Sequence, residues 1–282
     1  MMKIPGYLIF LFIFASRLPA QPVFTTTIEP FRTILQEVAG SRASITVLLP
    51  AGASPHTYEP PPSQIVSVNR STALFFGSPQ LDGWISRFPD AREIELLGMI
   101  PDSLVLYFEE NGAGKDPHFW TDPLTVKAML PALADTLSQL DTAGAEIYHS
   151  NAMRFAAELD SLSKTISQML KPFAGRPVIL AHPFFRYFLR RYKIPVLMSI
   201  ETIPGKEPTP RGLKKLIQLS RQERVSLILS HPQINDRTAE LLSESTGVPI
   251  LQLNPFGSGK SGETYQEILT DNARLLREAL HE

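Results

Sequence analysis

The polarity pattern divides the chain into two runs of alternating strands and helices on either side of one long helical stripe. In the first run, Val23 to Ile28 reads as a strand. Pro30 to Gly40 follows as a helix with Phe31, Ile34, Leu35 and Val38 on one face and Gly40 as its stop. Ile45 to Leu49 is a second strand. Ser63 to Asn69 is a short helix with Ser63 as its cap, and Ala73 to Phe76 is a third strand. Leu124 to Leu140 reads as a helix kinked at Pro131. From Ala145 to Leu170, the residues Tyr148, Ala152, Phe155, Leu159, Leu162, Ile166 and Met169 recur at alternating steps of four and three, a single sustained stripe. At 1.5 Å per residue that helix is roughly 40 Å long, enough to run along a whole protein. Lys171-Pro172 ends it.

After the long helix the alternation restarts. Strands are expected at 177–181, 195–200, 225–229 and 249–253. Helices are expected at 184–192, 209–221, 235–246 and 263–280, with Thr209 capping the second and Gly247 closing the third. Strand–helix–strand repetition implies parallel sheets with helical crossovers. The fold class expected is therefore α/β: two lobes, each a mainly parallel sheet flanked by helices, joined by a long rigid linker helix. The segments are a first lobe at 21–143, the linker helix at 144–172 and a second lobe at 173–282.

Residues 1–20 stand apart. Lys3, the apolar run YLIFLFIFA and a small residue near position 20 make a secretory signal peptide, too short for a membrane span. The composition is otherwise ordinary, with 43% hydrophobic and 20% charged residues, a formal net charge of −1 and no cysteine. Removal of residues 1–20 leaves a charge of about −3. No basic field suits nucleic acid. Without cysteine there are no disulfides and no lipid-attachment site, which favours a free protein in a periplasm-like space.

Four of the six histidines neighbour a proline at a strand or loop end: His56 (SPH), His118 (DPH), His182 (AHP) and His231 (SHP). His149 and His281 are read as surface residues. In parallel α/β sheets ligands bind beyond the carboxyl ends of the strands, and His182, Glu201, His231 and Asn254 all fall there. Zinc takes imidazole nitrogen in tetrahedral shells, so His56 and His118 from the first lobe and His182 from the second could converge on one ion.

These segments resemble the substrate-binding proteins of zinc and manganese ABC importers. GASPHTYEPPPSQI is similar to that family's PHxYEPxPS segment, DPHFWTDP to its DPHxWxDP segment and AHPFFRYFLRRYKIP to its third ligand segment. PTPRGLKKLIQLSRQERVSLILSHPQ resembles the stretch that usually ends in E-P-Q. The similarity runs from about Phe24 to the C-terminus. It implies two α/β lobes on a rigid helix, a metal held between them, and His56, His118 and His182 as ligands. It also implies a membrane permease of an ABC importer as partner, zinc (or manganese) as cargo, a monomer and no catalysis. Two departures stand out. The family's fourth ligand is usually an aspartate in L-D-P, where this chain has Asn254 in LNPFG, and its usual glutamate in E-P-Q is replaced by His231. The fourth position is open between Asn254, His231 and water. Glu59 and Glu201, with Asp116 and Asp122, are candidates to orient the imidazoles through their second nitrogen. Trp120, Phe119, Phe184 and Tyr58 are expected to pack around the site.

Three histidines favour zinc, since manganese sites are richer in carboxylates. The alternatives are manganese or iron held by the same kind of receptor, or a zinc hydrolase using three histidines and a water. The hydrolase is disfavoured by the absence of an HExxH helix. Ligand histidines must be neutral, so affinity is expected to fall as pH drops toward about 6.

Overall fold

The computed structural model describes residues 21–108, 114–201, 208–233, 237–260 and 262–281. The expected signal peptide lies outside these residues, as do most of the turn-rich loop 109–115 and the start of the helix expected at 235.

The first lobe comprises β1 (Val23–Thr26), α1 (Glu29–Ala39), β2 (Ser44–Val47), α2 (Pro62–Val68), β3 (Ala73–Phe76), α3 (Pro79–Asp82) and β4 (Glu93–Glu95). Its strands form an all-parallel sheet in the order β2-β1-β3-β4. β3, ALFF, is buried along its whole length, as a central parallel strand should be. The strand β4 escapes a reading by polarity: its three residues, EIE, expose both glutamates at the sheet edge. The expected cap of α2 is corrected as well. The helix starts one residue earlier, with Pro61 at its N-cap position and no side-chain cap, because the proline run already sets the entry backbone.

Two long helices follow, α4 (Pro123–Leu140) and α5 (Ala145–Leu170). The expected stripe on α5 is buried from Tyr148 to Ile166. At its end Leu170 is buried where Met169 is only half-buried. This face packs on α1 and α4 and, farther along, on the last helix of the second lobe. One apolar core is therefore continuous from Phe24 in β1 through Phe155 and Leu162 to Leu276 near the C-terminus.

The second lobe contains β5 (Val178–Leu180), α6 (Arg186–Arg191), β6 (Val196–Ser199), α7 (Pro210–Gln222), β7 (Leu227–Ser230), α8 (Arg237–Thr246), β8 (Ile250–Gln252) and α9 (Tyr265–His281). Its sheet is also all parallel, in the order β6-β5-β7-β8. Thr209 caps α7 as expected, its hydroxyl accepting from the Gly212 amide at 3.2 Å. In both sheets the order reverses beside the first strand, and the crevice opened by such a reversal is where a ligand is received.

Candidate metal centre

Each histidine reaches the crevice from a different element. His56 lies on the proline-bound loop after β2. His118 precedes a tight turn at Phe119–Thr121 that leads into α4. His182 lies two residues beyond β5, and His231 directly follows β7. His118, His182 and His231 are buried, while His56 is half-buried.

The Nε2 atoms of His118 and His182 lie 3.4 and 3.2 Å from His56 Nε2. One donor atom from each of the three lies within 4.8 Å of the others. The opposite nitrogens are each held. His118 Nδ1 faces Asp116 Oδ1 at 2.7 Å, His182 Nδ1 faces Glu201 Oε2 at 3.3 Å, and His56 Nδ1 faces the Gln80 carbonyl at 3.2 Å. A carbonyl only accepts, and an ionised carboxylate only accepts, so the proton of each neutral ring sits on Nδ1. All three Nε2 lone pairs are then bare and turned toward one another. Burial lowers every imidazole pKa and so keeps the rings neutral. His56 is pushed down to about 2 by burial and by its histidine neighbours, and His118 and His182 lie well below the ordinary value, chiefly through burial.

Phe184 forms the floor. Its ring centroid lies 4.4 Å from His182, 4.5 Å from both His118 and His231 and 5.8 Å from His56. Trp120 and Phe256 back it at 6.0 and 5.1 Å. Of the other expected aromatics, Phe119 is fully buried and Tyr58 packs on Trp84 instead.

His231 stands beside this group rather than in it. Its ring is 5.7 Å from His182, its Nδ1 faces Gln233 Oε1 at 3.1 Å, and its buried Nε2 has no partner among the described residues. The Asn254 amide is engaged locally, with Oδ1 accepting from Gln233 Nε2 and the Phe256 amide and Nδ2 donating to the Gly257 carbonyl.

Two expected orienting groups are corrected. Glu59 is exposed and faces Arg87 at 3.6 Å; the Gln80 carbonyl orients His56 in its place. Asp122 caps α4, accepting from the Leu124 amide and the Thr125 hydroxyl, and forms an ion pair with Arg191 at 2.7 Å. Polarity gave no sign of Gln80, whose backbone does the work. Gln233 did carry a signal: like Asp116, it is a hydrogen-bonding side chain two residues from a histidine.

Comparison with known proteins agrees with this architecture. The family model described as "Zinc-uptake complex component A periplasmic" matches residues 24–279. The manganese-binding lipoprotein MntA of Halalkalibacterium halodurans is 26% identical over 246 residues, covering 85% of this chain and 82% of that protein. The zinc-binding lipoprotein AdcA of Streptococcus pneumoniae is 23% identical over 273 residues, covering 90% of this chain but 54% of that protein. Among solved structures, a crystal structure of ZnuA superposes with a TM-score of 0.79 at 26% identity, covering 93% of this chain and all of that one. The periplasmic zinc-binding protein TroA of Treponema pallidum superposes at 0.82 with 20% identity, covering 93% of this chain and 99% of that one, a likeness of fold. Fold and site together define an extracytoplasmic metal-binding receptor of an ABC importer, a class of binding proteins rather than enzymes. The chain belongs to the family of periplasmic components of zinc-uptake complexes.

Proposed function

We propose that the protein is an exported receptor that captures one zinc ion on His56, His118 and His182 and delivers it to the permease of an ABC importer, acting as a monomer. The observation that carries the reading of one shared cation is the spacing of the bare lone pairs around His56, and the donor set carries the choice of ion. Two nitrogens each about 2.0–2.1 Å from a tetrahedral zinc stand about 3.3–3.4 Å apart, and the measured separations are 3.2 and 3.4 Å. Unprotonated nitrogens at that distance repel unless a cation lies between them. An all-imidazole face suits zinc better than manganese, which favours carboxylate and water oxygen. Asp116 and Glu201 support this reading by fixing the tautomers, as carboxylates do behind zinc-bound histidine.

No helix among the described residues is long and apolar enough to cross a membrane. The two curated relatives above are named lipoproteins, whereas this chain has no cysteine to carry a lipid. We assign it to the periplasm, the compartment in the description of its family model, with residues 1–20 as its export signal.

The test is metal analysis with competition titration on the stripped and reloaded protein, beside His182→Ala. The expected result is one tightly bound zinc that is lost in the variant, with manganese much weaker. Tight manganese binding that displaces zinc would overturn the choice of cargo.

A further inference from the structure

The geometry points to His231 as a fourth zinc ligand, presented by a relay from Asn254 through Gln233, so that the cargo shell is four neutral imidazoles. This rests on the three-histidine reading above and extends it.

The relay is read link by link. Asn254 follows β8, and its Oδ1 accepts from Gln233 Nε2 at 3.3 Å and from the Phe256 amide at 3.1 Å. Its Nδ2 donates to the Gly257 carbonyl, and its backbone amide donates to Asn272 Oδ1 at 2.7 Å. The Asn254 side chain is thus committed to its own loop and to Gln233 and is not free to offer oxygen to an ion. With Gln233 Nε2 donating, the amide orientation is set, and Gln233 Oε1 is the acceptor facing His231 Nδ1 at 3.1 Å. His231 must then carry its proton on Nδ1, which leaves a bare lone pair on Nε2.

That lone pair is buried, with no hydrogen-bond partner among the described residues. An unpaired buried acceptor in a native site is costly and calls for an occupant. The ring lies 5.7 Å from His182 and 4.5 Å from Phe184, the same Phe184 ring that underlies the other three imidazoles. His231 follows β7, next to β5 and His182, at the reversal of the second sheet. It therefore occupies the same crevice, outside the three whose donors already lie within 4.8 Å. Movement of this ring toward the other three would supply the fourth donor of the shell. The other three rings are treated in the same way: an acceptor behind Nδ1 and a bare Nε2 in front. The class of cargo follows. Four uncharged nitrogen donors suit borderline ions (zinc, cobalt, nickel, copper) better than the oxygen-seeking manganese, magnesium and calcium.

The experiment uses the full mature protein with isotopically labelled histidine, titrated with zinc and followed by the ring-nitrogen resonances. Of six histidines, four are expected to move to metal-bound positions, His231 among them, while His149 and His281 stay unchanged. His231→Gln identifies the fourth signal by its loss, and Gln233→Ala is expected to weaken zinc by about 10–100-fold, as for other groups behind a metal-bound imidazole. Three shifted histidines, with the His231 signal fixed and zinc affinity unaltered in Gln233→Ala, would overturn this inference and leave the three-histidine receptor standing. No shifted histidine at all would overturn both.

Discussion

Asp116 and Arg186 meet across the two lobes at 2.9 Å, and the other oxygen of the same carboxylate receives His118 Nδ1 at 2.7 Å. Asp116 comes from the first lobe and is fully buried; Arg186 opens α6 of the second. A ligand of one lobe is therefore oriented by a carboxylate that the other lobe holds. Neighbouring bonds repeat the pattern: Tyr187 donates to the Asp116 carbonyl, Trp120 Nε1 to the Pro255 carbonyl and Tyr265 to the Trp120 carbonyl. The segment DPHFWTDP is thus fastened to the second lobe along most of its length.

Burial raises Asp116 to about 6, and the Arg186 charge opposes the rise. Replacing Arg186 with leucine leaves a buried carboxylate without its cation, a change worth about 3–5 kcal/mol of stability. Chemical denaturation should show that loss, and competition titration should show zinc weakened by about 10–100-fold. Arg186→Lys restores the charge but not the second bond, which Arg186 Nη2 makes to the Tyr107 carbonyl, so its recovery should be partial. An unchanged denaturation midpoint in Arg186→Leu would contradict the role given to this pair.

The pH dependence differs from what loop histidines suggest. An exposed imidazole titrates near 6.5, so affinity was expected to fall toward pH 6. In the fold His56 is pushed down to about 2 and His231 to about 3, both chiefly by burial. Protons thus do not compete for the imidazole nitrogens near pH 6, and any loss of zinc affinity there is confined to the protonation of Asp116, raised to about 6, which weakens its hold on His118 Nδ1. The cost appears in stability instead. Below about 6.5 the unfolded chain binds protons that the folded one refuses, so metal-free stability falls with pH by up to about 1.4 kcal/mol per unit for each buried histidine. Urea midpoints of the stripped protein across this range, beside zinc titrations, separate the two effects.

Phe184 is the common floor of four imidazoles and is itself fully buried. Phe184→Ala should cost about 3–5 kcal/mol through lost burial and the cavity left behind. Zinc release from the variant should also be faster, because the rings lose the surface that keeps their Nε2 atoms together. Stopped-flow chelation measures that rate; release as slow as in the parent would show that the Nδ1 acceptors alone hold the geometry.

The 26-residue helix α5 packs on α1, α4 and α9, and one core runs through both lobes. Tilting one lobe would have to break that core. Small-angle scattering of the stripped and zinc-loaded protein should therefore give the same radius of gyration within its precision. A large contraction on loading would mean that the lobes hinge despite the shared core.

Much of this architecture is local and hence legible in the residues. The stripe on α5 needs only a 3.6-residue period, and ALFF at β3 needs only a run of apolar residues. The prolines beside His56, His118, His182 and His231 likewise place these histidines at strand and loop ends before any packing is known. β4 was not legible, because EIE gains its strand character from pairing with β3 at an edge and not from its own polarity.

The choice among acidic residues was beyond reach of local pattern. Glu59, close to His56 in sequence, faces Arg87, while the Gln80 carbonyl, 24 positions away, holds the ring. Asp122 resembles Asp116 in the chain, yet one caps a helix and the other holds His118. Residue type and order determined two parallel α/β lobes, a rigid helix and a set of histidines fit for metal. Only the tertiary structure decided which nitrogen of each ring faces the crevice. That depends on hydrogen-bond partners supplied from distant segments, and a partner's distance and direction are properties of the packed chain, not of neighbouring residues.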